Sequence, residues 1–123
     1  MSDAIRLNSI TLNCPDAPAL ASFYAEIIDG EVTFSQPGWA TVATPEGRIG
    51  FQTVEGYKPP LWPGEQGTPL LHIDFLVDDL EATEQRVLRA GAVRFDFQPN
   101  DDHCLVFADP AGHPFCLSTW ELG

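Results

Sequence analysis

Basic residues are scarce in this chain: six, against eighteen acidic ones, for a formal net charge of −12. So few cations cannot form the stripe that neutralises a phosphate backbone, and nucleic acid is not expected as a partner. An acidic surface of this kind chiefly serves solubility, with a preference for cationic ligands as the lesser reading. No apolar run is long enough to span a bilayer. The opening Met1-Ser2-Asp3-Ala4-Ile5-Arg6 lacks a basic start followed by an apolar stretch, so neither a membrane partner nor a signal peptide is expected, and a cytoplasmic location is. The three cysteines, Cys14, Cys104 and Cys116, are odd in number and without paired spacing, which argues against a disulfide framework and a zinc ribbon. A Gly-rich phosphate loop, a serine nucleophile elbow and a metalloprotease His pair are also missing.

What is present suffices for one globular domain with a real core, at 123 residues and 44% hydrophobic. Ile5 to Asn13 alternates as a strand and ends at Cys14-Pro15-Asp16, where Asp16 is a plausible N-cap. Leu20, Phe23, Tyr24, Ile27 and Ile28 then recur at helical spacing until Asp29-Gly30. Strands are expected over Glu31–Ser35, Trp39–Thr44 and Arg48–Val54, with turns at Gln36-Pro37-Gly38 and Pro45-Glu46-Gly47. Glu55 to Pro69 holds four prolines and three glycines and reads as a linker.

After the linker the pattern starts again. Leu70 to Val77 is expected as a strand, with Ile73, Phe75 and Val77 on one face and His72, Asp74 and Leu76 on the other. Asp79 to Ala90 reads as a helix with Leu80, Val87 and Leu88 inward, its acids early and Arg86 and Arg89 late, and Gly91 as its stop. Strands over Val93–Phe97, Cys104–Phe107 and Pro114–Thr119 complete the set. The order strand, helix, three strands therefore occurs twice: module 1 over about 5–54, a linker over 55–69, and module 2 over about 70–120. The fold class is α+β, built from two βαβββ modules. Each has one sheet face under a helix and one face needing a partner.

Three stretches carry a resemblance: Phe23-Tyr24, the run His72-Ile73-Asp74-Phe75-Leu76-Val77-Asp78-Asp79-Leu80, and Asp109-Pro110-Ala111-Gly112-His113-Pro114-Phe115-Cys116-Leu117. In this order they resemble the vicinal oxygen chelate superfamily of glyoxalases, bleomycin-resistance proteins and extradiol dioxygenases, and most of all its actinobacterial-style glyoxalase-like domain proteins. The resemblance covers nearly the whole chain. It implies a U-shaped, barrel-like sheet around a cleft, and often a homodimer. It also implies, for metal-using members, four ligands from the first and last strands of each module. Those positions fall on Ser9, Gln52, His72 and Cys116. His72 matches and Gln52 is acceptable. Ser9 stands where His is common, and Cys116 where Glu is usual, a soft donor for metals that prefer oxygen. The quartet is broken, so no cofactor is expected; a divalent metal, if one binds, would use Gln52, His72 and Cys116.

The residues expected to carry function follow from parity and from this resemblance. His72, with Asp74 two residues on, reads as a ligand contact or a proton-moving catalytic pair. Cys116 reads either as a thiolate nucleophile beside His72 across the cleft or as a small buried side chain. Ser9, Thr11, Asn13, Gln52 and Ser118 are expected to line the same cleft as a polar floor for a small organic ligand. Tyr57 and Trp62 either stack on a planar ligand as a lid or pin the linker. His103 and His113 sit beside turns and are expected to be exposed. The expected function is that of a glyoxalase-like small-molecule-binding protein. The alternatives are a lyase or isomerase using His72 with Asp74 on a small carbonyl-containing substrate, with or without metal assistance, a drug-sequestering resistance protein, and a purely structural domain.

Overall fold

The structure, a computed structural model, describes residues 3–63 and 71–120. The chain divides into two compact units, Met1–Tyr57 and Lys58–Gly123. The first holds β1 (Ile10–Cys14), α1 (Ala17–Ile28), β2 (Glu31–Gln36), β3 (Trp39–Thr44) and β4 (Gly47–Thr53). The second holds β5 (Ile73–Leu76), α2 (Leu80–Ala90), β6 (Val93–Arg94), β7 (Cys104–Ala108) and β8 (Pro114–Ser118). Sheet orders are β1-β4-β3-β2 and β5-β8-β7-β6, the same topology twice. In each, the first strand pairs parallel with the fourth and the rest pair antiparallel. The duplicated βαβββ pattern is thus present, in two separate four-stranded sheets neither of which closes into a barrel.

In the first unit Asp16 caps α1, its carboxylate accepting from the Ala19 N–H at 3.3 Å. Asp29 ends the helix in the left-handed conformation, its N–H donating to the Ala25 carbonyl. The helix lays Leu20, Phe23, Tyr24 and Ile27 on the sheet face carrying Ala40, Val42 and Phe51, all of them buried. Tyr24 stacks on Phe51 with ring centroids 5.6 Å apart. The expected strand from Ile5 begins instead at Ile10, and Ile5 and Leu7 are exposed. The register gives the reason. Ile10 pairs with Ile49, so in this parallel register Leu7 and Arg6 would have to pair with Glu46 and Pro45, in the turn before β4, which offers no ladder. Asn8 is held by the Arg48 side chain instead.

In the second unit Asp79 caps α2 through the Ala82 N–H, and Gly91 ends it at φ 119°. Val87 is buried, but Leu88, expected inward, is 37% exposed. At about 100° per residue, seating Val87 on the sheet turns Leu88 outward. The helix-covered sheet face carries Phe115, Phe107, Leu117 and Leu105, all buried. The expected strand Val93–Phe97 stops at Arg94. Beyond it the Gln98 side chain takes over. Its amide nitrogen donates to the carbonyls of Val106 at 2.7 Å and Phe95 at 2.8 Å, and its oxygen accepts from the Val106 N–H at 2.8 Å. A side-chain amide thus stands where a peptide group would have continued the ladder. The strand expected from Leu70 begins at Ile73; Leu70 itself, with residues 64–69 of the expected linker, lies outside the described residues.

The Asp109-Pro110-Ala111-Gly112 turn joins β7 to β8. The buried Asp109 carboxylate accepts from the N–H groups of Ala111 at 2.8 Å and His113 at 3.0 Å, so its burial is compensated by the backbone it folds. Gly112 is required twice: its φ is +89°, and a Cβ there would meet Pro59 Cβ at 2.6 Å. Among the described residues no helix is long and apolar enough to cross a membrane.

Candidate functional site

The second unit's open sheet face follows directly from the pairing register. Asp74 lies beside Cys116, which lies beside Val106; Leu76 lies beside Ser118, which lies beside Cys104. Side chains in register share a face, so one step of alternation sends the aromatics under α2 and sends Asp74, Cys116, Ser118 and Cys104 the other way. His72, two residues before Asp74, joins them. These residues floor a cavity of about 440 Å³. Its rim is built by Trp62, His103, Trp120 and the Pro99-Asn100 corner.

Two imidazoles line this cavity, each paired with a carboxylate. His72 Nε2 lies 3.3 Å from Asp74 Oδ1. His103 Nδ1 lies 2.8 Å from Asp102 Oδ1, and the His103 ring stacks on Trp120 with centroids 3.6 Å apart and planes 8° from parallel. Trp120 is anchored by its own N–H donating to Ser118 Oγ at 3.1 Å. Trp62 donates its indole N–H to the Phe97 carbonyl at 3.2 Å and sits against Phe95 and Phe97. The pocket thus has flat aromatic walls above a polar and thiol floor.

Burial is the main reason the Cys116 thiol is held far above its ordinary pKa; the neighbouring Cys104 and the Asp74 carboxylate push the same way. Burial also raises Cys104. On the sheet face Cys116 has Asp74 directly beside it on one neighbouring strand and Cys104 diagonally beside it on the other. These surroundings keep the proton on sulfur, the opposite of what activates a thiolate nucleophile. Cys116 lies on the strand next to that of His72, not across a cleft from it. The ligating atoms of His72, Asp74 and Cys116 lie within 4.8 Å of one another.

The structure therefore brings together His72, Asp74, Cys116, Ser118 and Trp62 from the expected site. Thr11, Asn13 and Gln52 share one face of the first unit's sheet, where Thr11 is beside Gly50, and Asn13 beside Gln52 and Trp39. Ser9 Oγ lies near the same Gly50, and Trp39 donates to Thr41 Oγ1 at 3.2 Å on that face. Tyr57 ends the first unit and does not line the cavity. Six lining residues were not among those expected: Pro99, Asn100, His103, Cys104, Val106 and Trp120. Trp120 was legible, since it continues the parity of Cys116 and Ser118. Cys104 needed the β7–β8 register, which no spacing in the sequence prints. His113 lies outside the cavity lining; its N–H serves the Asp109 turn.

A family model for the glyoxalase-like domain matches residues 9–118. The chain belongs to the glyoxalase-like domain family. No match was found among curated proteins. Solved structures similar to this glyoxalase-like protein include a fosfomycin resistance protein, FosX, from Mesorhizobium loti, at 18% identity and TM-score 0.70, covering 99% of this chain and 95% of that one. The Listeria monocytogenes FosX, solved with Mn(II) and sulfate, matches at 18% identity and TM-score 0.73, covering 99% and 94%. The oxidase ChaP-H2 matches at 25% identity and TM-score 0.68, covering 98% and 97%. The common ground is the vicinal oxygen chelate fold.

Metal-using members of that superfamily hold oxygen-seeking divalent ions; His72 and Asp74 suit such an ion, and the last-strand position does not. The last-strand position is a buried thiol, Cys116, in place of a carboxylate, with a second thiol, Cys104, against it. A hard ion gains little from neutral or soft sulfur and would lack anionic oxygen at this position.

Proposed function

We propose that this glyoxalase-like protein binds a small organic ligand in the second unit's cavity, without the superfamily's full metal quartet. The observation that carries the reading is the cavity itself. About 440 Å³ of space ends in a few convergent polar groups, His72, Asp74 and Ser118, under flat walls of Trp62 and the His103–Trp120 stack. A ligand with a planar portion would stack on the wall and hydrogen-bond to the floor. Drug sequestration is a special case of this reading, supported by the likeness to fosfomycin resistance proteins. Thr11, Asn13 and Gln52 remain proposed ligand contacts on the first unit's open face, with Ser9 beside them and Tyr57 on the linker.

The test is binding of a panel of planar carbonyl compounds, bleomycin and fosfomycin, followed by tryptophan fluorescence and calorimetry. Saturable binding that weakens about tenfold in His72→Ala and in Trp120→Ala is expected, since each removes a hydrogen-bonded or stacked contact. A panel with no saturable binder, or binding indifferent to both substitutions, overturns the reading.

A second reading has its own support in the 3.3 Å His72–Asp74 contact: an imidazole held by a carboxylate is suited to move a proton beside a carbonyl, as in a lyase or isomerase. Asp74 would hold the ring, and His72 Nδ1 would remain for substrate. Turnover unchanged in His72→Ala would remove it. A cytoplasmic homodimer is proposed as the working form, with exposed apolar residues Val32 and Phe34 on the edge strand β2 in its favour. Light scattering at micromolar concentration tests it: a mass of one chain refutes the dimer.

A further inference from the structure

We propose that Cys104, Cys116, His72 and Asp74 form a site for a borderline-soft divalent cation of the Zn²⁺ class, contained wholly in the second unit. The inference stands independently of the organic-ligand reading. It departs from the superfamily quartet in its donor set: Cys104 and Asp74 lie outside the quartet positions and join His72 and Cys116, which lie on them.

The donors are two thiols and a carboxylate on three adjacent strands, all on one sheet face, and the imidazole of His72, the residue just before β5. Two thiolates, one neutral nitrogen and one carboxylate oxygen suit a tetrahedral Zn²⁺. A tetrahedral ion with bonds of about 2.0–2.3 Å places its donors about 3.3–3.8 Å apart. The His72 Nε2–Asp74 Oδ1 separation is already 3.3 Å. The spread among His72, Asp74 and Cys116 is no more than 4.8 Å. Cys104, beside Ser118 on the neighbouring strand, lies diagonally from Cys116 on the same face and outside that 4.8 Å cluster. Closing the site brings the Cys104 side chain toward the other three donors, and His72 and Asp74 have the freedom to meet it, their side chains being 37% and 63% exposed. The thiols lie on the central strands β7 and β8, so the backbone of that half is held by pairing on both sides. On binding, each thiol gives its proton to solvent and each sulfur forms a bond to the ion. Two thiolates match the ion's charge, and Asp74 adds a third anionic donor.

The test uses the full chain, reduced and metal-free. Co²⁺ is the spectroscopic probe and Zn²⁺ the competitor. The expected result is a near-ultraviolet thiolate-to-cobalt charge-transfer band that Zn²⁺ abolishes, with release of two protons. Cys104→Ser and Cys116→Ser should each weaken Zn²⁺ binding by more than about 100-fold, since losing even a supporting residue around a bound metal costs about 10–100-fold. Cys14→Ser, in the other unit, should change nothing. A measurement on the unmutated chain covers variants that fail to fold: Zn²⁺ should protect Cys104 and Cys116, but not Cys14, from alkylation of the briefly opened protein, read by mass spectrometry. A missing charge-transfer band, alkylation indifferent to Zn²⁺, or Mn²⁺ binding as tightly as Zn²⁺ overturns the site.

Discussion

The two units share one topology and spend it differently. In the first, α1 buries six residues against its sheet, among them Tyr24 stacked on Phe51, and the open face holds threonine, asparagine and glutamine. In the second, α2 buries only Val87, and the open face holds thiols, an imidazole and a carboxylate beneath aromatic walls. A repeated fold thus supports one unit made chiefly of packing and another in which the reactive side chains collect. Topology alone does not say which half carries chemistry.

The sharpest way to break the comparison is to remove the packing of the first unit. Tyr24→Ala should destabilise the protein by about 3–5 kcal/mol, the usual range for a buried aromatic, whereas Val87→Ala should cost roughly 2 kcal/mol for two methyl groups and a small cavity. Urea unfolding of both variants checks the ratio; equal costs would mean that α2 contributes as much as α1. Gly112→Ala should cost about 2–3 kcal/mol, combining a left-handed backbone with the Pro59 contact, read as a loss of melting temperature.

The thiols give a pH signature confined to the second unit. The folded state holds the Cys116 proton more tightly than the unfolded chain does, so its contribution is intact below the ordinary thiol pKa. It is lost progressively as pH rises above about 8.5, at up to about 1.4 kcal/mol per pH unit. Cys116→Ala should flatten that decline in alkaline urea titrations; an unchanged slope would place the lost stability elsewhere. The smallest effect is expected at Leu88→Ala, within about 0.5 kcal/mol, because the side chain faces outward.

Much of the fold was legible because helix starts and stops are local chemistry. Asp16, Asp79, Asp29 and Gly91 act where their side chains and backbone freedom suggested. Strand ends were less legible, since a strand stops where its partner stops. Ile5 and Leu7 alternate correctly and find no ladder; Phe95 keeps one bond to the Val106 carbonyl, and the Val106 N–H goes to a glutamine side chain instead. His72 and Asp74 could be placed from period two alone. Cys104 could not, because its nearness to Cys116 is a diagonal relation between strands and depends on a register fixed by the Asp109 turn.

The Gln98 amide has a consequence for how this protein can change. That side chain closes the edge of β7 at Val106, and the corner from Pro99 to Asp102 holds only the start of the strand, the His103 and Cys104 N–H groups donating to the Asn100 carbonyl. New side chains in the corner that leave the Asn100 carbonyl in place can reshape the mouth of the cavity while Cys104 and Cys116 stay fixed. The entrance and the floor can therefore diversify separately, so that descendants of one ancestor could admit different molecules over the same chemical surface.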